Sequence, residues 1–528
     1  MSKPVVLIAD KLAPSTIEAL GQGVEVRWVD GPNRAELLAA VPEAEALLVR
    51  SATTVDKEVL AAAPNLKIVG RAGVGLDNVD VAEATKRGVM VANAPTSNIH
   101  SACEQAIALL LATARQIPQA DRTLREATWK RSEFKGVEIF GKTIGIVGFG
   151  HIGQLFAQRL KAFETTVVAY DPYANPSRAA ALDVELVELE ELMGRADFVT
   201  IHLPKTPETS GLFNADLLAK AKKGQIIINA ARGGLVDEQA LADSIKAGHH
   251  RGAGFDVFAT EPCTDSPLFG LEQVTVTPHL GASTEEAQDR AGTDVADSVL
   301  KALNGEFVAD AVNVQGGRVG EEVAGWLEIA RKLGFTAGAL LEKAPAVIEV
   351  EARGELATEQ VEAIGLSAVR GLFSGVVSET VTFVNAMQIA ERRGVKVVVR
   401  TNPESKGYRA SVNVRVIAAD GDVSTLTGTR NGISGAEKFV RINGRGVDMR
   451  ATGHNLFFRY RDKPGALGEV GTSLGTANIN INAAALTSGK EEGSAVLILR
   501  VDAEVPADLL KKIASSLEAE VFQFDLGE

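Results

Sequence analysis

The densest chemistry in this 528-residue sequence lies between Gly148 and Ala282. Gly148-Phe149-Gly150-His151-Ile152-Gly153 is a G-x-G-x-x-G string. Alone such a string is weak, because glycine-rich turns are common. Here it follows the apolar run Thr143–Val147 and precedes a helical pattern over Gln154–Ala162, and a second apolar run then ends at Asp171. That context makes it a dinucleotide loop. Gly148 permits the tight turn, Gly150 lets the backbone approach a pyrophosphate, and Gly153 lets helix and strand pack closely. The helix start offers free N–H groups and the positive end of its dipole to the phosphates. Asp171 can accept hydrogen bonds from a ribose 2′-hydroxyl and would repel a 2′-phosphate, so the expected cofactor is NAD rather than NADP.

In an open parallel sheet, ligands bind beyond the C-terminal strand ends. Those ends carry His202-Leu203-Pro204-Lys205-Thr206, Ala230-Ala231-Arg232-Gly233-Gly234, Asp256 with Glu261-Pro262 shortly after, and Pro278-His279-Leu280-Gly281. Hydride transfer between a hydroxyl carbon and a nicotinamide needs a base, a cation for the substrate carboxylate, and a group that orients the base. His279, at a strand end just before a helix start, is the expected acid/base. Glu261 is the carboxylate expected to pair with it, and Arg232 the planar fork for a substrate carboxylate. His151 and His202 are read as lining the cofactor. Ile152, Thr206, Ala230, Asp256, Gly281 and Ala282 complete the expected cofactor contacts. Cys263 lies two residues after Glu261, but with no evident base partner it reads as a small semi-buried residue.

These residues need elements to hold them. Residues 1–98 alternate short apolar runs (Val5–Ala9, Val24–Val29, Ala46–Val49, Ile68–Gly70, Val89–Val91) with helical patterns, which predicts a parallel sheet. A strong helix follows over residues 101–115, with Ser101 and Glu104 fitting a capping box. A second alternation runs from 143 to 280, and Ser283-Thr-Glu-Glu286 reads as another capping box opening a helix to about Leu303. Gly316-Gly317 marks a break. Beyond it come a helical stretch (Glu321–Leu341), β-rich runs (Ala346–Ala352, Val395–Arg400) and candidate tight turns at Asn431-Gly432 and Asn443-Gly444. The last 75 residues read β-α-β-β-α-β. The expected fold class is α/β. It has two doubly wound parallel-sheet domains, one outer and one Rossmann-like, an α+β intervening domain and a small ferredoxin-like C-terminal domain.

Bulk properties narrow the partners. A formal net charge of −13 argues against nucleic acid, and an acidic chain that binds an anionic metabolite must concentrate arginine or lysine locally. The longest apolar stretch, Ala106–Ala114, is too short to span a bilayer. Met-Ser-Lys-Pro leads straight into a strand with no cleavable signal pattern, so a cytoplasmic location is expected. Two cysteines, Cys103 and Cys263, cannot build a disulfide framework, and no metal site is expected.

Taken together, Gly148–Gly153 with Asp171, Asn229-Ala-Ala-Arg-Gly-Gly234, Asp256-Val-Phe258 with Thr260-Glu-Pro262, and Thr277-Pro-His-Leu-Gly281 resemble the D-isomer-specific 2-hydroxyacid dehydrogenase family. The resemblance covers about the first 315 residues. It implies Arg232 in substrate binding and a Glu261–His279 acid/base pair. It also implies a discontinuous substrate domain, 1–98 plus 283–315, flanking an NAD domain of 99–282. Residues 316–452 and 453–528 would be the intervening and regulatory domains. Three further features resemble the long-form branch of the family, which oxidises 3-phospho-D-glycerate to 3-phosphohydroxypyruvate at the first step of serine synthesis. Arg50-Ser51 and Arg71-Ala-Gly73 lie at outer-domain strand ends, where they would put two arginines near a phosphate. Trp129-Lys-Arg131 resembles a basic hook contributed to a neighbouring subunit. Tyr460-Arg-Asp462 with Asn480 fits the effector loops of an ACT domain. The resemblance implies L-serine as an inhibiting effector at Tyr460, Asp462 and Asn480, and a homotetramer. Glu437-Lys438, Arg441, Arg445 and Arg450 form a basic stretch, read as a solvated hairpin face. The competing readings are another family member, such as a glyoxylate or hydroxypyruvate reductase, and a non-catalytic NAD-sensing scaffold.

Overall fold

A computed structural model describes residues 3–316, 319–377, 380–405, 407–431, 435–488 and 493–527. Gly317 and Gly432, each half of an expected break or turn, lie outside the described residues.

The first five strands are β1 (Val5–Ile8), β2 (Glu25–Trp28), β3 (Ala46–Val49), β4 (Ile68–Arg71) and β5 (Met90–Asn93), all parallel in the order β2-β1-β3-β4-β5. β3 is buried along its whole length, as a sheet covered on both faces requires. The order reverses between β1 and β3, and Arg50 leaves β3 at that crevice, its backbone N–H held by Asp10 after β1.

The second sheet comprises β6 (Thr143–Val147), β7 (Thr166–Tyr170), β8 (Glu185–Leu186), β9 (Phe198–Ile201), β10 (Ile226–Asn229), β11 (Gly252–Phe255) and β12 (Val274–Val276). Their order is β12-β11-β10-β9-β6-β7-β8, all parallel. Its switch point lies between β6 and β9, so the glycine loop and His202 meet at one crevice. The two-residue edge strand β8 is too short to show as an apolar run.

Helix Glu285–Leu303 then returns to the first sheet, with Val295 and Val299 crossing β4 at Gly70. A Cβ on Gly70 would lie 2.5 Å from Val295 Cγ1, so that glycine sets how closely the helix approaches. The cap is Thr284, whose side chain accepts from Ala287 N–H, one residue later than expected. The other expected capping box is not one. Helix Ile99–Arg115 starts earlier, after Asn98. Ser101 is therefore buried inside the helix, bonded to Thr284 Oγ1 at 2.8 Å, and Glu104 pairs with Arg159 instead.

The third sheet is mixed: β13 (Pro345–Gly354), β14 (Lys396–Asn402), β15 (Ala410–Ala418), β16 (Val423–Arg430), β17 (Glu437–Ile442) and β18 (Arg445–Arg450) in the order β14-β13-β15-β16-β17-β18. Helices Leu327–Leu341 and Glu362–Ser374 cross at Gly334 and Gly371, where added Cβ atoms would strike backbone carbonyls at 1.9 Å. The expected helix over 321–341 is two pieces, Glu321–Ala324 and Leu327–Leu341. Lys332 is 1% exposed and reaches Glu437 at 2.8 Å. Asn443 (φ 48°) and Gly444 (φ 82°) form the tight turn between β17 and β18. The fourth sheet holds β19 (His454–Arg461), β20 (Ile481–Ser488), β21 (Ser494–Val501) and β22 (Glu520–Asp525), ordered β20-β21-β19-β22. With helices Ala466–Thr476 and Ala507–Leu517 it completes the β-α-β-β-α-β pattern.

Candidate active site

The glycine loop is built as its sequence requires. Gly148 has φ 97°, and a Cβ there would lie 2.6 Å from the His202 carbonyl. A Cβ on Gly153 would meet the Gly148 carbonyl at 2.2 Å. Gly150 differs, because a Cβ there meets nothing within 4 Å. Nothing in the protein itself demands glycine at 150; the space it leaves is a cradle open to a ligand. Helix His151–Lys161 begins directly after it with no side-chain cap, so its first N–H groups are free for phosphates. His151 and Ile152 stand at that start. Asp171 follows β7 and accepts from Phe149 N–H and Tyr173 N–H, each at 2.8 Å. The His202 ring lies against Phe156, with Thr200 Oγ1 3.1 Å from its Nε2. Burial pushes its pKa down to about 4, so it is neutral at physiological pH. Thr206 turns the following loop through its N–H to Thr209 Oγ1.

Between the two parallel-sheet domains lies a cleft of about 900 Å³. Arg50, Ser51, Arg71 and Gly73 line it from the first sheet, and Arg232, Glu261, His279 and Ala282 from the second. His279 Nδ1 is 2.6 Å from Glu261 Oε2, and Glu261 Oε1 accepts the Phe258 N–H at 2.9 Å. The pair is therefore anchored to backbone at its acidic end. His279 itself is left-handed, φ 56°, and its N–H is held by the Asp256 carbonyl at 2.8 Å. The Arg232 loop is set by Asn229, whose Nδ2 donates to the Arg232 carbonyl and whose Oδ1 accepts the Ala231 N–H. Gly233 packs it on the Phe258 backbone, where a Cβ would lie 1.7 Å from the carbonyl oxygen.

The three arginines are only partly offset by nearby carboxylates, Asp77 in the cleft lining and Asp10 after β1. Arg50 gives one Nη1 to the Lys11 carbonyl and Arg232 one to the Ala231 carbonyl, while the buried Nε of Arg71 has no hydrogen-bond partner. Burial first, then the charge of Arg232 and to a lesser degree that of Arg50, lowers the Arg71 pKa from its usual value, against the opposing pull of Asp77 and Asp10. Gly73 makes room for that side chain, since a Cβ there would sit 1.9 Å from Arg71 Nη1. A half-desolvated cluster of guanidinium groups is a site for a multiply charged anion.

Several expected residues fall elsewhere. Asp256 is fully buried, and both of its oxygens are engaged by the protein. Oδ1 accepts from Leu280 N–H (2.8 Å), Thr277 Oγ1 (2.5 Å) and Gln105 Nε2 (3.3 Å), and Oδ2 from Gly281 N–H (2.8 Å). It holds the His279 loop, and Gly281 acts there through its N–H. Arg131 is exposed, outside the cleft of its own chain, beside Trp129, which is 79% exposed. Tyr460 and Asp462 share a hollow of about 400 Å³ with Lys463, Pro464 and Leu486, but Asn480 does not line it. Asn480 precedes Ile481, which pairs with Val501 and so lies level with His454, at the opposite end of the sheet. The effector triad cannot close within one chain. Residues that spacing did not single out are Asn98, which lines the cleft at a helix start, and Gln105, which bonds Thr277 beside His279; Asn229, present in the family string without an assigned role, sets the Arg232 loop. Among the described residues no cluster of three or more potential metal ligands occurs, and no helix is long and apolar enough to cross a membrane.

Comparison with known proteins fits this geometry. Residues 107–281 match the D-isomer specific 2-hydroxyacid dehydrogenase NAD binding domain. Residues 322–443 match the D-3-phosphoglycerate dehydrogenase intervening domain, and 454–518 the ACT domain. The chain is 64% identical over 519 residues to a D-3-phosphoglycerate dehydrogenase of Mycobacterium bovis, covering 98% of each. The chain belongs to the D-3-phosphoglycerate dehydrogenase family. As a member of that family it is an NAD-dependent D-2-hydroxyacid dehydrogenase. Solved structures match over somewhat more than half of the chain. A Thermus thermophilus protein has TM-score 0.54 and 34% identity, covering 58% of this chain and 99% of its own. A Staphylococcus aureus NAD-dependent formate dehydrogenase in complex with NAD has TM-score 0.50 and 31% identity, covering 57% and 96%.

Proposed function

We propose that the cleft oxidises 3-phospho-D-glycerate to 3-phosphohydroxypyruvate, the first step of serine synthesis. The observation that carries this is three arginines around the same cleft as a His279–Glu261 pair at 2.6 Å. One arginine suffices for a carboxylate and Asp77 offsets part of the remaining charge, so the surplus favours a second anionic group, and a phosphate fits.

The residues divide the work. Arg232 holds the carboxylate and polarises the adjacent oxygen. Arg50, Ser51 and Arg71 take the phosphate, and Arg131 of a neighbouring subunit closes the site. His279 faces the hydroxyl with Nε2 while Nδ1 is tied to Glu261, so Nε2 accepts the hydroxyl proton as the carbon gives up its hydride. NAD, when bound, supplies the hydride acceptor. Glu261 stabilises the imidazolium that forms and fixes its ring. In the reverse direction His279 returns the proton.

A panel of D-2-hydroxy acids, followed by NADH formation, tests the reading. 3-Phosphoglycerate should be the preferred substrate, and His279→Ala should lower turnover by about 10²–10⁴-fold. Equal rates on unphosphorylated acids would defeat the assignment, and unimpaired turnover by His279→Ala would defeat the mechanism.

Serine control is the second part of the proposal. The hollow at Tyr460 and Asp462 suits a small amino acid, with Asp462 facing its ammonium. A two-fold pairing of ACT sheets brings opposite ends together, so a second copy would supply Asn480. One such two-fold contact makes a dimer, and with Arg131 reaching a neighbour at a second interface the two contacts together favour a homotetramer, with cytoplasmic location as the setting. Asp462→Ala should abolish serine inhibition and spare the uninhibited rate; unchanged inhibition would refute the site. Light scattering with and without serine reads the assembly.

A further inference from the structure

The two peptides that meet at Phe149 are each held by a side chain, the one before it through its N–H and the Phe149–Gly150 peptide through its carbonyl. The Phe149 N–H donates to Asp171 Oδ2 at 2.8 Å, and the Phe149 carbonyl accepts from Gln154 Nε2 at 2.8 Å. Gln154 is held in turn, because Arg178 Nε donates to its Oε1 at 2.8 Å. The Phe149 side chain is 3% exposed and locked in the core. Gly150, in contrast, is exposed, and a Cβ there would touch nothing.

A peptide followed by glycine flips readily, since rotating it costs little when the next residue accepts either sign of φ. Because the peptide is planar and trans, its C=O and N–H point in opposite directions. A flip would turn the Phe149 carbonyl toward the open cradle and withdraw the Gly150 N–H from it. An acceptor oxygen there would repel a pyrophosphate.

We propose that Gln154 is a positioning residue for NAD: by donating to the Phe149 carbonyl it locks this peptide with its oxygen turned away from the pyrophosphate. Arg178 keeps the amide oriented, with its oxygen on the guanidinium and its NH₂ on the carbonyl. The inference rests on NAD binding and not on the phosphoglycerate assignment, because cofactor titration needs no substrate.

Two variants separate the carbonyl contact from general packing. Gln154→Leu loses both links. Gln154→Glu keeps an acceptor for Arg178 and loses the donor to Phe149. Titration of the cofactor-free protein with NADH, followed by fluorescence, should show about tenfold weaker binding in both variants, the effect of one lost hydrogen bond. The KM for NAD should rise by about the same factor, with kcat and the KM for the hydroxy acid within about twofold. The thermal midpoint of cofactor-free Gln154→Glu should match that of the wild-type protein. Wild-type NADH affinity in Gln154→Glu would overturn the proposal, as would a loss of affinity matched by loss of kcat and of cofactor-free stability.

Discussion

Asp256→Asn is the sharpest perturbation of the proton-transfer half of the site. The wild-type carboxylate is fully buried and receives four hydrogen bonds, two of them from the backbone N–H groups of Leu280 and Gly281 just after His279. An asparagine in its best orientation keeps an oxygen at the Oδ1 position, where three donors meet, and sets its NH₂ against the Gly281 N–H. Three charge-assisted bonds become neutral ones and the fourth becomes a donor–donor clash. Bonds to charged groups contribute about 1.5–3 kcal/mol and neutral ones about 0.5–1.5 kcal/mol. Relief from burying a charge offsets part of the loss, leaving a net cost of about 3 kcal/mol. For a domain of this size that lowers the thermal midpoint on the order of 5–10 °C. His279 shares its backbone with the damaged loop, so a shift of about 1 Å should lower kcat/KM by about 10²-fold. Differential scanning fluorimetry and steady-state rates read both effects. A variant with near-wild-type midpoint and rate within twofold would refute the view that Asp256 holds the histidine loop.

Acid should weaken the NAD domain in a defined window. Burial pushes the pKa values of His202 and His250 each down to about 4, against 6.5 when unfolded. Both are neutral in the fold, so their stabilising effect is complete above about pH 6.5 and is lost as pH falls toward 4, by up to about 3 kcal/mol each. Urea unfolding at several pH values should show this decline, and His250→Gln should flatten it; an unchanged slope contradicts the assignment. In the intervening domain, Lys332→Met should cost about 3–5 kcal/mol by stranding Glu437, which is 14% exposed, and adding Glu437→Leu should recover much of that. Additive losses in denaturant unfolding would show that the pair is not coupled.

Much of the site was legible because parallel sheets put chemistry at strand ends. The runs at Thr143–Val147, Thr166–Tyr170 and Ile226–Asn229 are strands over those same residues, and the residues just beyond them form the loops of the cofactor site and cleft. What escaped depends on contacts distant in sequence. Ser101 fits a cap by spacing, yet the helix starts at Ile99 and the hydroxyl is used against Thr284, 183 residues away. Asp256 ends its strand facing the cofactor crevice, but its oxygens are claimed by a loop more than twenty residues later. Asn480 and Asp462 both occupy ACT loop positions, and only strand register shows them at opposite ends of the sheet. Helix 321–341 breaks where Gly325 meets the Arg430 guanidinium, a contact that no local pattern encodes.

The cleft is proposed to select a phosphorylated hydroxy acid through an arginine cluster whose charge Asp77 and Asp10 offset only in part. The direct test is the ratio of kcat/KM for 3-phosphoglycerate over D-glycerate, measured for the wild-type protein and for Arg71→Met. A wild-type ratio on the order of 10³ or more is expected, falling by at least about tenfold in the variant while the rate on D-glycerate holds. A wild-type ratio near one, or a ratio that Arg71→Met leaves unchanged, would contradict that proposal.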